Sequence, residues 1–333
     1  MNSSSALNTD GADATPRAVW SVVAPEAPWC PPEWLDHLLA VAPALVGADG
    51  HVPPADAVGM QARHNGWSLL SASSRGRLHA HRGDYREDAD ATVAFVHGWS
   101  TAVADGAGSA SWSRLGAAIA TAVFTHAVRD NLGHGRKPAD ALEQALQEAA
   151  RTTHQALRDF AARAGILLRD LRTTLLTATL HQGRIGLMQV GDGAMAWFHV
   201  DGRVTQPLSG DSGDFSGEVT HFLPDDGAVE QLARSMWIAD ANTCATLLLV
   251  TDGVEDAWYP LARHAPALLT QLVAGVMDGT VLPNAIVSSH PAPVLGAPDP
   301  VQALIAWLAF EKRGENDDRT LCLLTRDGGS WAP

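Results

Sequence analysis

The 333-residue chain holds only three cysteines, Cys30, Cys244 and Cys322. Their number is odd and their spacing fits no zinc site, so neither a disulfide framework nor a zinc module is expected, and the thiols read as reduced, in a cytoplasmic protein. Cys322 lies inside the apolar run Leu321 to Leu324 and reads as core. None of the three opens a Cys-x5-Arg phosphate loop, which excludes a cysteine nucleophile of that type. Basic residues are also scarce: 23 Lys and Arg stand against 37 Asp and Glu, for a formal charge of -14. A nucleic-acid partner needs a basic patch, so none is expected, and the balance gives no membrane-surface signal. No 18 apolar residues run together, so no transmembrane helix is expected. Met1 to Ser5 lacks a basic segment followed by an apolar stretch, so a signal peptide is not expected. There is no internal repeat.

What is present can fill a core, since apolar residues make up 46% of the chain. Residues 1 to 18 are small and polar and are expected to be disordered. A proline-rich stretch follows, in which Leu35, Leu38, Leu39 and Ala42 have helical spacing. Residues 1–65 thus read as an N-terminal extension with short helices, 66–327 as the main domain, and 328–333 as a tail. In the main domain strands are expected at 67–73, 91–96 and 100–104, then helices at 113–131 and 138–162. Next come strands at 173–181, 184–190 and 194–200, the last three as a meander of two hairpins. Asp192, in the second of those turns, reads as a structural turn residue. Residues 208–243 are rich in glycine and read as irregular. A strand at 246–251, helices at 254–277 and 301–310, and a last strand at 319–325 close the pattern. Strands cluster instead of alternating with helices, which argues for α+β or a layered sandwich and against a doubly wound parallel sheet. The eleven tryptophans are scattered and read as packing residues.

The chemistry is concentrated in three short segments. Ala104-Asp105-Gly106-Ala107-Gly108 and Val250-Thr251-Asp252-Gly253-Val254 place Asp-Gly at the end of an apolar run, and Asn316-Asp317-Asp318-Arg319-Thr320 places two acids at the start of one. Aspartate at a strand end offers hard oxygen ligands, and the glycine admits backbone or solvent. Gathered in one fold, such ends make a site for a hard divalent cation. His79 and His81 form a His-x-His pair, but neither a cysteine nor a third histidine, His97 included, has zinc spacing to it.

These segments resemble the metal-dependent protein phosphatase family, type 2C. They are most similar to its bacterial branch with a DGAGSA-like signature: Asp105-Gly106-Ala107-Gly108-Ser109-Ala110, then Ser113-Arg114-Leu115-Gly116-Ala117. Arg86-Glu87-Asp88-Ala89, Arg172-Thr173-Thr174, Gln189-Val190-Gly191-Asp192-Gly193, Thr251-Asp252-Gly253-Val254 and Asp317-Asp318-Arg319-Thr320 follow in the family order.

The resemblance implies an α-β-β-α sandwich of two antiparallel sheets flanked by helix pairs, with residues 208–243 as a flap. It implies two Mn²⁺ or Mg²⁺ ions, and a third, weaker one, around a hydroxide that attacks phosphorus directly. By position, Asp105 would bridge two ions with the Gly106 carbonyl beside it. Asp252 and Asp317 would hold one ion, and Glu87 and Asp88 would act directly or through water. Asp256, with Asp170 as a partner, would serve the third ion. Asp318 stands where the family usually has asparagine. His79, Arg82 and Arg86 are the candidates for contacting phosphate. The implied function is hydrolysis of phosphoserine or phosphothreonine on proteins, in a signalling role beside a Ser/Thr kinase. The alternatives are a catalytically silent module that binds a phosphoprotein or kinase, and a phosphatase of a small phosphorylated molecule.

Overall fold

In the computed structural model, residues 22–45, 56–134, 138–210, 221–276 and 280–327 are described. The segment expected to be disordered, the tail 328–333 and the centre of the flap, 211–220, lie outside them. Among the described residues the first α-helices and strands are α1 (Leu35–Val41), β1 (Ala57–His64), β2 (Trp67–Ser74), α2 (Arg77–Arg82), β3 (Ala89–Phe95) and β4 (Gly98–Ala104). Two long helices follow, α3 (Ser113–Leu132) and α4 (Ala141–Ala164), then β5 (Leu175–His181), β6 (Arg184–Val190), β7 (Ala194–His199) and β8 (Val204–Thr205). The last elements are α5 (Ala228–Arg234), β9 (Met236–Asp240), β10 (Cys244–Val250), α6 (Asp252–Glu255), α7 (Leu261–Ala274), α8 (Pro300–Leu308) and β11 (Arg319–Arg326).

The strands form two antiparallel sheets, of order β1-β2-β11-β10-β7-β8 and β3-β4-β5-β6-β9. They pack face to face through Trp67, Leu69, Trp99, Leu176, Trp197, Leu247, Leu249, Cys322 and Leu324. Leu248, Val250, Leu321 and Leu323 point the other way, onto the layer of Trp258, Leu268, Leu304 and Trp307. This is the period-two alternation of a pleated strand, and it explains why β10 and β11 read as unbroken apolar runs: both faces are covered. On the outer side of the five-stranded sheet, α3 is buried around most of its circumference. Alanine and glycine let it approach closely, and Thr121 and Thr125 satisfy their hydroxyls on carbonyls one turn back. Beside it on the same sheet lies α4, with Leu142, Leu146, Leu157 and Phe160 inward and Leu146 against Gly186 of β6. The layers are therefore α-β-β-α, as the resemblance implied.

Four local readings differ from the structure. The run 194–199 does not continue a meander, because β6 and β7 belong to different sheets and Gly191-Asp192-Gly193 is the corner between them. Ala57–His64, placed in the extension, is an edge strand paired with β2 from Ala57↔Ser74 to His64↔Trp67. The segment read as irregular contains α5 and β9, and β9 pairs with β6. The helix expected over 254–277 is two helices, parted before Pro260. The extension also carries its own packing: Leu38 of α1 is fully buried in the α3–α4 core.

Candidate metal centre

Antiparallel pairing decides which chain ends meet. Ala89 pairs with Ala104, Val250 with both Leu321 and Ala194, and Leu175 with Val190. The residues just outside these pairs therefore share one end of the sandwich: Asp88, Asp105, Asp252, Asp318 and Asp192. Oxygens of Asp105, Asp192 and Asp252 all lie within 4.8 Å of one another, and atoms of His79, Asp317 and Asp318 form a second such group.

Threonine hydroxyls and backbone N–H groups hold these acids. Asp105 N–H donates to Thr174 Oγ1 at 2.9 Å, while Thr173 Oγ1 donates to Asp105 O at 2.8 Å. Asp88 Oδ2 accepts from Thr251 Oγ1 at 2.8 Å and from Thr320 Oγ1 at 2.6 Å, which ties β3 to the six-stranded sheet. Asp318 Oδ1 accepts from Gly76 N at 2.5 Å and Oδ2 from Glu87 N at 2.5 Å, so this buried carboxylate fixes both the entry to α2 and the Glu87 turn. Two glycines are required by geometry. A Cβ on Gly253 would collide with the Asp318 carbonyl oxygen. Gly193 has φ +83°, and a Cβ there would lie 2.7 Å from Val250 O.

The electrostatics are those of crowded carboxylates. Burial, then the neighbouring Asp252 and Asp88 charges, raises Asp105 well above the usual carboxylate range. Burial, then Asp192 and Asp317, does the same to Asp252. Asp88 is raised by burial and by Asp318. Burial pushes Glu87 up to about 7, against the pull of His79 and of the Ser113 hydroxyl. His79 Nδ1 lies 3.0 Å from Asp318 Oδ1 and its Nε2 lies 4.0 Å from Glu87 Oε2. Burial opposes a charge on His79, but these acids outweigh it and push its pKa up to about 9.

Asp317 is exposed and Asp256 stands at the rim, its N–H on Asp252 O at 2.8 Å. The arginine candidates separate: Arg82 is exposed at the end of α2, whereas Arg86 Nε and Nη1 are buried without a hydrogen-bond partner. The groups that could hold a metal among the described residues do not include Asp170, whose carbonyl instead accepts from Trp112 N. Asp170 was expected as the partner of Asp256; the acid that the structure brings up to Asp105 and Asp252 is Asp192. The sequence signal for it, an acid between glycines where two strands end, was present but was read as a hairpin.

A profile of protein phosphatase 2C matches residues 75–280. The chain belongs to the protein phosphatase 2C family. Solved structures with the same fold include a serine-threonine phosphatase 2C from Toxoplasma gondii (14% identity, 82% of this chain and 99% of that one, TM-score 0.54). The S. agalactiae serine/threonine phosphatase (13%, 78% and 99%, 0.52) and Stp1 from Staphylococcus aureus (15%, 81% and 100%, 0.51) are also similar. No curated protein matches the chain. Among the described residues, no helix of this phosphatase 2C chain is long and apolar enough to cross a membrane.

The residues fit the divalent ions on which the family depends. No N–H or O–H reaches Asp88 Oδ1 or Asp252 Oδ1, although both are buried. A buried anionic oxygen without a donor is costly unless a cation completes it. The donors are carboxylate and carbonyl oxygens with no thiolate, which suits Mg²⁺ or Mn²⁺.

Proposed function

We propose that the chain is a metal-dependent phosphatase of phosphoserine and phosphothreonine in proteins, of the DGAGSA-type branch, acting by direct attack of water on phosphorus. The observation that carries this is the group of Asp105, Asp192 and Asp252 oxygens within 4.8 Å at one sandwich end, in a chain of this family. Bound divalent ions, two and a weaker third, supply a nucleophile at neutral pH and offset phosphoryl charge. In this reading Asp105, the Gly106 carbonyl, Asp252 and Asp317 would hold two of these ions. Glu87 and Asp88 complete the set, and Asp192 and Asp256 serve the third.

Arg86 is the better phosphate contact than Arg82, because it has buried, unfilled donors next to Glu87. His79, cationic at neutral pH, can orient water or give its proton to the departing alkoxide. The partners are phosphorylated proteins and a cognate kinase. Hydrolysis of p-nitrophenyl phosphate with Mn²⁺, Mg²⁺ or EDTA tests the reading. Turnover that EDTA abolishes supports it, and a folded protein inert with every metal overturns it.

A further inference from the structure

Residues 22–34 run as a strap over α2 and over the turn that leads to Glu87. Val23 N–H donates to Ala80 O in α2, Tyr85 O–H donates to Ala27 O, and Arg114 Nε donates to Trp29 O, each at 2.8 Å. The strap is anchored behind these contacts. Cys30 is buried, and Trp34 meets Trp112 edge-on, with ring centroids 4.6 Å apart.

Arg114 stands where the pieces join. Its guanidinium carbon lies 4.6 Å from the Trp112 ring and 5.3 Å from the Tyr85 ring. Tyr85 is two residues before Glu87, and Trp112 is next to Ser113. Ser113 and the Glu87 carbonyl close on Gly106 so tightly that a Cβ there would lie 2.7 and 3.0 Å from them. One planar cation therefore holds the strap, the Glu87 turn and the loop from Asp105 to Ser113. Burial disfavours the charge of Arg114, and Glu87 is the strongest counterweight.

We infer that Arg114 is a positioning residue: clamped between Tyr85 and Trp112 and bonded to the strap, it fixes Glu87 where a divalent cation needs it. The strap then belongs to the metal-binding unit although it makes no ligand contact. The purpose of the clamp rests on the phosphatase reading.

The test is calorimetric titration of Mn²⁺ into the full metal-free chain, alongside its thermal unfolding. Arg114→Gln is expected to weaken Mn²⁺ binding about tenfold, as outer partners of metal ligands do. The unfolding temperature of the metal-free chain should stay within about 3 °C. Arg114→Lys keeps the charge but cannot lie flat between two rings, so it should recover only part of the binding. Tyr85→Phe, which loses only the hydroxyl bond to Ala27, should weaken binding about twofold to threefold and carries the test if Arg114→Gln does not fold. Saturating Mn²⁺ should restore p-nitrophenyl phosphate turnover in all three variants. Wild-type affinity in folded variants overturns the inference and leaves the phosphatase reading intact. So does a fall in binding that merely tracks a fall in unfolding temperature. A wild-type chain that takes up no Mn²⁺ overturns both.

Discussion

The two ends of the sandwich are made by the same strands and treat charge in opposite ways. At the end bearing the turns Asn65-Gly66 and Gln182-Gly183, charges are matched and wet. Asp327 accepts from Arg63 at 3.3 Å and from Ser68 at 2.8 Å, and Arg326 donates to Asn242 Oδ1 at 2.8 Å. At the other end Asp252 and Asp88 raise the proton affinity of Asp105, Asp192 raises that of Asp252 and Asp318 that of Asp88, and the nearby cation His79 is taken up by Asp318. Packing explains neither difference, since both ends cap the same inter-sheet core. Like charges crowded out of water oppose folding. Their presence marks the end built to receive something positive.

The sharpest way to break this contrast is Asp105→Asn. Removing the charge at the centre of the cluster should lower metal-dependent turnover by about a thousandfold, the scale of losing one key electrostatic group. Activity within a few-fold of wild type would remove Asp105 from the site.

The next largest effect is on stability against pH without metal. Glu87 has a folded pKa of about 7 against an ordinary 4.5. Between those values the folded chain keeps a proton that the unfolded chain has lost, so stability present at low pH falls as pH climbs through about 7. Asp88, Asp105 and Asp252, all raised, act in the same direction. His79, raised to about 9, adds a loss at higher pH. Thermal unfolding in EDTA from pH 5 to 8 should therefore show a declining melting temperature, with added Mn²⁺ stabilising most at the alkaline end. A rising curve in EDTA would contradict the crowding argument.

Asp192→Ala should be smaller and two-sided. Turnover at limiting Mn²⁺ should drop about tenfold and recover at high Mn²⁺. The metal-free chain should melt higher, because one repelling charge is gone. A lower melt would make Asp192 a turn residue after all. The smallest effect belongs to the matched end. Asp327→Asn should change stability by less than about 0.5 kcal/mol, the usual worth of an exposed pair, and leave turnover unchanged.

The acids were legible because each borders an apolar run, and a strand end is where a side chain escapes the sheet. Gly191-Asp192-Gly193 reads as a hairpin turn for the same local reason that makes Asp192 visible. A glycine-flanked acid between two strands looks alike whether the strands pair with each other or turn into different sheets. Only the register, with Val250 opposite Ala194 rather than Val190, separates the cases. The edge strand Ala57–His64 was missed because it is half exposed, with Gln61 and Arg63 among small residues, so its pattern lacks the apolar face of an inner strand. Met236-Trp237-Ile238 carries a strand signal, but a short one, late in a segment whose first part holds Gly210, Gly213, Gly217 and Gly227.

Local sequence by itself determined the interior strands, the long helices and the stock of hard oxygen ligands. These follow from side-chain periodicity and from the need of an acid to leave an apolar run. The tertiary structure alone decided which acids meet, which glycine turn is a corner, and that the N-terminal segment lies against the Glu87 turn. Those outcomes depend on contacts between residues tens to hundreds of positions apart, such as Asp88 with Thr320 and Trp29 with Arg114. No local pattern encodes such contacts, because their energy exists only when both surfaces are already formed.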